Sequence, residues 1–234
     1  MNNKSNPIII SLGGSLVIPK KTREINVEYL LEFKKLIESH TNKGKRFFII
    51  VGGGNTAREY QNAGNSLFNS DPYDLDMLGI YVTHLNAHLV QMLFNKLSYP
   101  HIIKDPTLDY NEIDNYSVAI AGGWKPGNST DYIAVKLAQK YHVKSIINLS
   151  NIDYIYDKDP YKNSDAKPIK EISWSNFRAM VGDKWDPGAS APFDPIASIE
   201  SDKLNLEVTI MNGEALNNLD SYLNGEESIF SIIQ

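Results

Sequence analysis

Two runs, Ile8-Ile9-Ile10-Ser11-Leu12-Gly13-Gly14-Ser15 and Phe47-Phe48-Ile49-Ile50-Val51-Gly52-Gly53-Gly54-Asn55-Thr56-Ala57-Arg58, share one pattern. Each is a short apolar stretch that ends in glycines. Apolar residues on both faces predict strands buried inside a parallel sheet. The glycines bare backbone N–H groups and let an anion approach closely, and the helix start that follows is partly positive. One such loop is compatible with a simple tight turn. Two, with a further pair at Gly122-Gly123, point to a site that holds several phosphates.

Three more runs of the same kind lie at Tyr116 to Ala121, Lys144 to Leu149 and Leu206 to Met211. Helical spacing connects them. Val27 to His40 carries Leu30, Leu31, Phe33, Leu36 and Ile37 on a broad apolar side. Leu75 to Leu97 spaces Leu78, Val82, Leu85, Leu89, Met92 and Phe94 in the same way, on an arc wide enough for both a core and a subunit contact. Thr130 to Tyr141, Ser173 to Val181 and Asp194 to Lys203 complete the set. This alternation predicts an α/β fold with right-handed crossovers. The polar, proline-punctuated stretch Asp157 to Pro168 marks the best internal boundary. It divides one domain, 1–234, into a lobe of residues 1–160 and a smaller one of residues 161–234 that share a sheet.

With 234 residues, 42% of them hydrophobic, the chain is long enough for one large core. A net charge of −5 argues against general nucleic-acid binding. With no cysteine there are no disulfides and no thiolate metal sites. Met1 to Pro7 lacks the apolar centre of a signal peptide, and no stretch nears the roughly 20 apolar residues of a membrane helix. A cytoplasmic protein is the expectation.

Several residues stand where they can do chemistry. Arg58 lies one helical turn past the triple glycine, within reach of a phosphate bound at the helix start, or else on the solvated surface. Asp74 and Asp76 open the long helix. An acid there is either a cap or, for Asp76, an acceptor for ribose hydroxyls. Gly122 to Asp131 combines loop glycines, Lys125, hydroxyls and an acid at the end of a strand, where open α/β sheets bind ligands. Ser129 or Thr130 is also a natural N-cap. Ser150 to Pro160 offers Tyr156 to a base and Asn151 and Asp159 for polar contacts, or forms a plain surface hairpin. His84 and His88 sit one turn apart without a third ligand and read as packing or surface residues; no metal ligand is assigned.

The ordered set resembles the amino-acid kinase superfamily, and within it the archaeal-type UMP kinases. It runs through Gly13-Gly14-Ser15, Gly52-Gly53-Gly54 with Ala57-Arg58, Leu75-Asp76-Met77-Leu78-Gly79-Ile80, Leu85-Asn86-Ala87, Gly122-Gly123 with Pro126-Gly127, Thr130-Asp131, Asn151-Ile152-Asp153 with Tyr156 and Asp159-Pro160, and Asp194-Pro195. The resemblance implies a three-layer α/β/α sandwich with a mostly parallel central sheet, and transfer of the ATP γ-phosphate to UMP with Mg²⁺. It implies that Gly14, Ser15, Gly54, Arg58, Ser150, Asn151, Tyr156 and Asp159 bind ATP. UMP falls to Gly53, to Asp76 through its ribose, and to the loop Gly123, Trp124, Lys125, Pro126, Gly127, Asn128, Ser129 and Thr130. Asp194 resembles the acid that organises phosphoryl transfer, with Arg58 and Lys125 as the other catalytic candidates. The resemblance also implies a hexamer built from dimers.

The chain departs from the pattern in places. Ser11 and Ile199 stand where many relatives carry lysines, Tyr154 where a glycine is usual, and His84 where an arginine is usual. Positive charge at the transferred phosphoryl group is then expected from Mg²⁺, Arg58, Lys125 or Lys203. Two other readings keep the scaffold: a kinase for another small phosphate such as isopentenyl phosphate, and a nucleotide-sensing or storage protein without turnover.

Overall fold

The computed structural model describes residues 6–68, 71–160, 162–182 and 191–234. The chain runs through β1 (Ile8–Leu12), α1 (Gly14–Val17), α2 (Val27–Asn42), β2 (Phe47–Val51), α3 (Gly54–Phe68) and α4 (Pro72–Phe94). It continues through β3 (Val118–Ala121), α5 (Thr130–Lys140), β4 (Ser145–Ser150), β5 (Ile155–Tyr156), β6 (Pro168–Ile169) and β7 (Glu171–Ile172). It closes with α6 (Trp174–Val181), α7 (Pro195–Lys203), β8 (Glu207–Asn212), α8 (Leu216–Asn224) and β9 (Ser231–Ile233).

Seven strands form one sheet in the order β3-β2-β1-β4-β8-β9-β7, parallel except where β9 runs against β8. The five strands read from sequence are its five consecutive parallel members. Alternate residues feed two cores. Ile9, Phe48, Ile50, Ile146, Val208 and Ile210 pack on one face with residues of α5, α6 and α7. Ile10, Leu12, Phe47, Ile49, Ile147 and Leu149 pack on the other with residues of α2, α4 and α8. Both faces being covered explains why the strands read as continuous apolar runs. The result is the three-layer α/β/α sandwich.

Some expectations shift. The long helix begins at Pro72 under an Asp71 cap that accepts from the Tyr73 N–H, so Asp74 is a first-turn acid. It ends at Phe94, and Asn95–Leu97 is a separate 3₁₀ turn. Leu31, Leu85 and Met92, placed on apolar arcs, are exposed. Asp157 to Pro168 joins β5 to β6, which pair antiparallel with Tyr156 opposite Pro168. Beside the expected boundary, β5 and β6 thus form a two-stranded sheet of their own, and the chain then enters the main sheet through β7, β8 and β9.

Candidate active site

The parallel strands end at one edge of the sheet, and their glycine loops meet there. A Cβ on Gly14 would lie 2.2 Å from the Gly54 nitrogen and 2.5 Å from the Gly52 carbonyl oxygen. Gly54 adopts φ +63°, with its own Cβ position 2.5 Å from the Gly14 carbonyl carbon. The glycines are thus needed first for backbone-to-backbone contact between two loops. That contact sets the starts of α1 and α3 side by side. Among the described residues, the backbone N–H groups of Gly14, Ser15, Gly53, Gly54, Asn55 and Thr56 have no hydrogen-bond acceptor. Bare amides at adjoining helix starts make an anion cradle. Arg58 stands one turn into α3, exposed, without an ion pair among the described residues.

Helix α4 holds two loops with three side chains. Asn86, 3% exposed, donates from Nδ2 to the Gly52 carbonyl at 3.0 Å. Thr83 accepts the Gly123 N–H at 2.7 Å and donates to the Ile80 carbonyl. His84 Nε2 lies 2.7 Å from the Gly123 carbonyl. Burial lowers the His84 pKa, a bond to Gly123 opposes this, and Lys104 adds to the lowering. The ring is therefore neutral at pH 7, with its proton on Nε2, where the carbonyl needs a donor.

Asp76 projects from the first half of α4 and accepts the Gly127 N–H at 2.7 Å. It touches the loop it was expected to serve with. Lys125 Nζ sits 3.9 Å from the Trp124 ring centroid. Burial raises the Asp105 pKa, but Thr107, the Trp124 indole and Lys125 outweigh it and leave the carboxyl low. The Lys125 charge is thus shared with Trp124 and Asp105. Pro126 and Asn128 are half-buried in the same loop, and Ser129 caps α5 by accepting the Tyr132 N–H, leaving Thr130 as its first residue.

At the ends of β4 and β8, a cavity of about 450 Å³ is lined by Asn151, Asp153, Tyr156, Pro160, Asn212 and Glu214. Asn212 bridges the two loops by donating to Asp153 at 2.9 Å and accepting the Glu214 N–H at 3.0 Å. Tyr154 stands edge-on to Tyr156. Ser150 begins the segment and accepts the Ile152 N–H, while the Asp159 carbonyl caps the following turn. A wider cavity of about 810 Å³ lies at the amino ends of β4 and β8, beside Lys144, Ser145, Leu206 and Glu207, away from every glycine loop.

Residues 6–212 match the amino acid kinase family. The chain belongs to that family. A uridylate kinase from Methanobrevibacter smithii is 32% identical over 224 residues, covering 94% of this chain and 96% of its own length. One from Sulfurisphaera tokodaii is 30% identical over 213 residues, 90% of this chain and 93% of its own. The crystal structure of the Archaeoglobus fulgidus uridylate kinase superposes with a TM-score of 0.80 at 26% identity, covering 97% of this chain and 100% of that one. The UMP kinase structure from Bacillus anthracis, at 19% identity and a TM-score of 0.80, shares the fold.

In this amino acid kinase the polar centre of the edge is Asp131. Ser11 and Asn148 are register partners on β1 and β4. Ser11 Oγ donates to Asp131 Oδ1 at 3.0 Å and Asn148 Nδ2 donates to the same oxygen at 3.2 Å. The Asp194 N–H donates to Asp131 Oδ2 at 3.2 Å. Burial, then repulsion from Asp194, pushes the Asp131 carboxyl up to about 6. Asp194 caps α7 by accepting the Ala197 N–H at 2.6 Å, and burial raises its pKa too. In the sequence Asp131 is one acid of the loop and half of the Thr130-Asp131 motif, with no role of its own assigned. A usable signal was present, because Ser11 and Asn148 are polar interruptions of otherwise apolar strands. Lys203, expected among the sources of positive charge, lies away from the site. It closes α7, about 13 Å of helix from Asp194 at 1.5 Å per residue, and approaches Glu200 at 3.8 Å. Its charge therefore belongs to the far end of α7.

Proposed function

We propose that this protein is a UMP kinase, which transfers the ATP γ-phosphate to UMP and releases UDP and ADP. The observation that carries the reading is the pair of abutting glycine loops, with six backbone N–H groups at two helix starts that find no acceptor among the described residues. Such a cradle suits a chain of phosphates from donor and acceptor together.

In this reading Gly14, Ser15, Gly54 and Arg58 hold the ATP phosphates, and the cavity of Asn151 and Tyr156, with Ser150 and Asp159 at its loop, takes the nucleoside. Gly53 faces the acceptor phosphate. Asp76 binds the UMP ribose, and the loop from Gly123 to Thr130, including Trp124 and Lys125, closes over the uracil. Residues 161–234 complete the ATP lobe. The acceptor is already an ionised phosphate oxygen, so no general base is needed. The protein supplies alignment and positive electrostatics for an in-line displacement. Arg58 is the charged donor nearest the cradle along α3, and Lys125 brings a second cation on the acceptor side. Asp194 orients the edge of the site through its contact with Asp131.

The reaction calls for Mg²⁺. The residues present fit it: Asp194 Oδ2 is buried without a hydrogen-bond partner, and Asp131 lies against it, an all-oxygen set suited to a hard cation. When bound there, the ion neutralises phosphate charge. The proposed setting is the cytoplasm; no helix among the described residues is long and apolar enough to cross a membrane. The proposed assembly is a homo-oligomer, up to a hexamer, with the α4 face of Tyr81, Leu85 and Met92 (60%, 69% and 66% exposed) as a contact.

The test is ADP release from MgATP with UMP, CMP, AMP or isopentenyl phosphate as acceptor. UMP-dependent release supports the reading. Release with isopentenyl phosphate alone gives the other acceptor. No release from protein that binds both nucleotides calorimetrically gives a sensor or storage protein.

A further inference from the structure

We propose that Lys136 and Glu200 are positioning residues, an ion pair that sets α7 against α5 and thereby holds Asp194 on Asp131. This role rests on the kinase reading of the edge, but both residues lie outside the cradle and the acceptor loop. Asp131 is the second residue of α5, and Asp194 is the N-cap of α7. The two acids thus belong to different helices, joined where the Asp194 N–H reaches Asp131 Oδ2 at 3.2 Å. That contact changes whenever one helix slides or rolls on the other.

The two helices are anchored differently. Helix α5 buries Ile133, Val135 and Leu137 and is seated by apolar packing. Helix α7 buries Pro195, Ala197, Ser198 and Ser201, and of these Ala197 alone joins the apolar core of that face. So little apolar area gives little energy to hold a helix in place. Polar contacts must therefore place α7. Lys136 lies five residues past Asp131 and Glu200 six past Asp194, about 7.5 Å and about 9 Å of helix at 1.5 Å per residue. There Lys136 Nζ donates to Glu200 Oε1 at 2.7 Å, with the two side chains 19% and 22% exposed. The ammonium also stands 5.2 Å from the Tyr132 ring centroid on its own helix. Burial lowers the Lys136 pKa, but Glu200 and Tyr132 outweigh it, so the ammonium stays charged at neutral pH. A pair sheltered in this way is screened less than a surface pair. A second pair, Arg178 with Asp202 at 3.1 Å, ties the end of α7 to α6. Helix α6 carries none of the residues placed at the site, so that pair does not relate α7 to Asp131. Phosphoryl transfer depends on alignment, and a displacement of about 1 Å can cost about 100-fold in rate.

Two readouts test the pair, and the first needs no turnover. Hydrogen exchange of the Asp194 amide is followed by NMR on nucleotide-free protein isotope-labelled at aspartate nitrogen. Lys136→Met removes the charge at similar length and should speed that exchange about tenfold, as a lost coupling between contacting groups does. In kinetics, kcat should fall about 10- to 100-fold while KM for ATP and for UMP stays within about twofold. The reversed pair, Lys136→Glu with Glu200→Lys, should restore both readouts. Thermal unfolding establishes that each variant is folded, and Glu200→Met gives the same test where Lys136→Met does not fold. Arg178→Met frees α7 from α6 instead and should leave the Asp194 amide and kcat near wild type. If a folded Lys136→Met leaves Asp194 exchange unchanged, the proposal is wrong. It is equally wrong if Arg178→Met has the same effect, or if the reversed pair restores neither readout, because Lys136 and Glu200 then only stabilise the fold. If the exchange responds as expected but the wild type transfers no phosphoryl group, the positioning role stands and the kinase reading fails.

Discussion

Gly14 and Gly54 approach so closely that no side chain fits between them, a Cβ on Gly14 falling 2.2 Å from the Gly54 nitrogen. The obstacle is backbone, so a rotamer change cannot relieve it. Gly14→Ala should destabilise the fold by about 1–3 kcal/mol, the usual cost of overpacking, and abolish ATP binding in calorimetry by parting the two loops. Gly127→Ala is the contrast. Its Cβ meets nothing within 4 Å, and φ +80° alone strains it. Its cost should be about 1–2 kcal/mol in thermal unfolding, with ATP affinity retained.

Asp76 separates acceptor from donor. Its carboxylate already reaches the acceptor-side loop at Gly127. Asp76→Asn should weaken UMP binding by about 10- to 100-fold, equivalent to about 1.5–3 kcal/mol for a hydrogen bond to a charged group, with ATP affinity nearly unchanged. Isothermal titration with each nucleotide reads both. Equal losses for the two, in a folded protein, refute the ribose assignment.

Thr83 positions the acceptor loop without touching substrate. Thr83→Val keeps the side-chain shape but leaves the buried Gly123 N–H without its acceptor. The expected cost is about 1–3 kcal/mol of stability. In kinetics, KM for UMP should rise while KM for ATP stays put. A purely structural role would move both or neither.

His84 makes stability depend on pH. Its folded pKa is lowered, chiefly by burial, below the 6.5 of an ordinary histidine. The unfolded chain therefore takes up a proton first as pH falls below about 6.5, and unfolding is favoured from there downward until the folded ring titrates. His84→Gln removes this contribution. Urea unfolding should show the variant gaining on wild type between about pH 6.5 and 5. A difference independent of pH across that window contradicts the neutral, Nε2-protonated ring.

Much of this was legible in the sequence, because each part depends on local pattern. Apolar runs of both-face burial gave β1, β2, β3, β4 and β8, and the glycines that end them marked the site's edge. Short elements were not legible. The four residues of α1, the three of β9 and the two-residue strands β5, β6 and β7 take their conformation from neighbours in space. The start of α4 was missed by three residues, because Asp71-Pro72 is a better cap and first turn than Asp74-Leu75. Periodicity also does not encode exposure. Leu85 and Met92 fall on an apolar arc in sequence, yet α4 turns Asn86 and Val90 to the protein instead. The loop clamps of Thr83, His84 and Asn86 join residues more than thirty positions apart. The Asp131 hub spans 120 residues between its two most distant members by hydrogen bond. Only the fold brings such pairs together.

Direct transfer of a phosphoryl group from ATP to UMP is the step that every residue role above serves. The most direct measurement is to incubate the protein and Mg²⁺ with ATP labelled at the γ-phosphate and unlabelled UMP, then separate the nucleotides. Label should enter the β-position of UDP in step with ADP release and be absent when UMP is omitted. Label that remains in ATP, or that appears only as inorganic phosphate, from folded protein that binds both nucleotides, contradicts direct transfer.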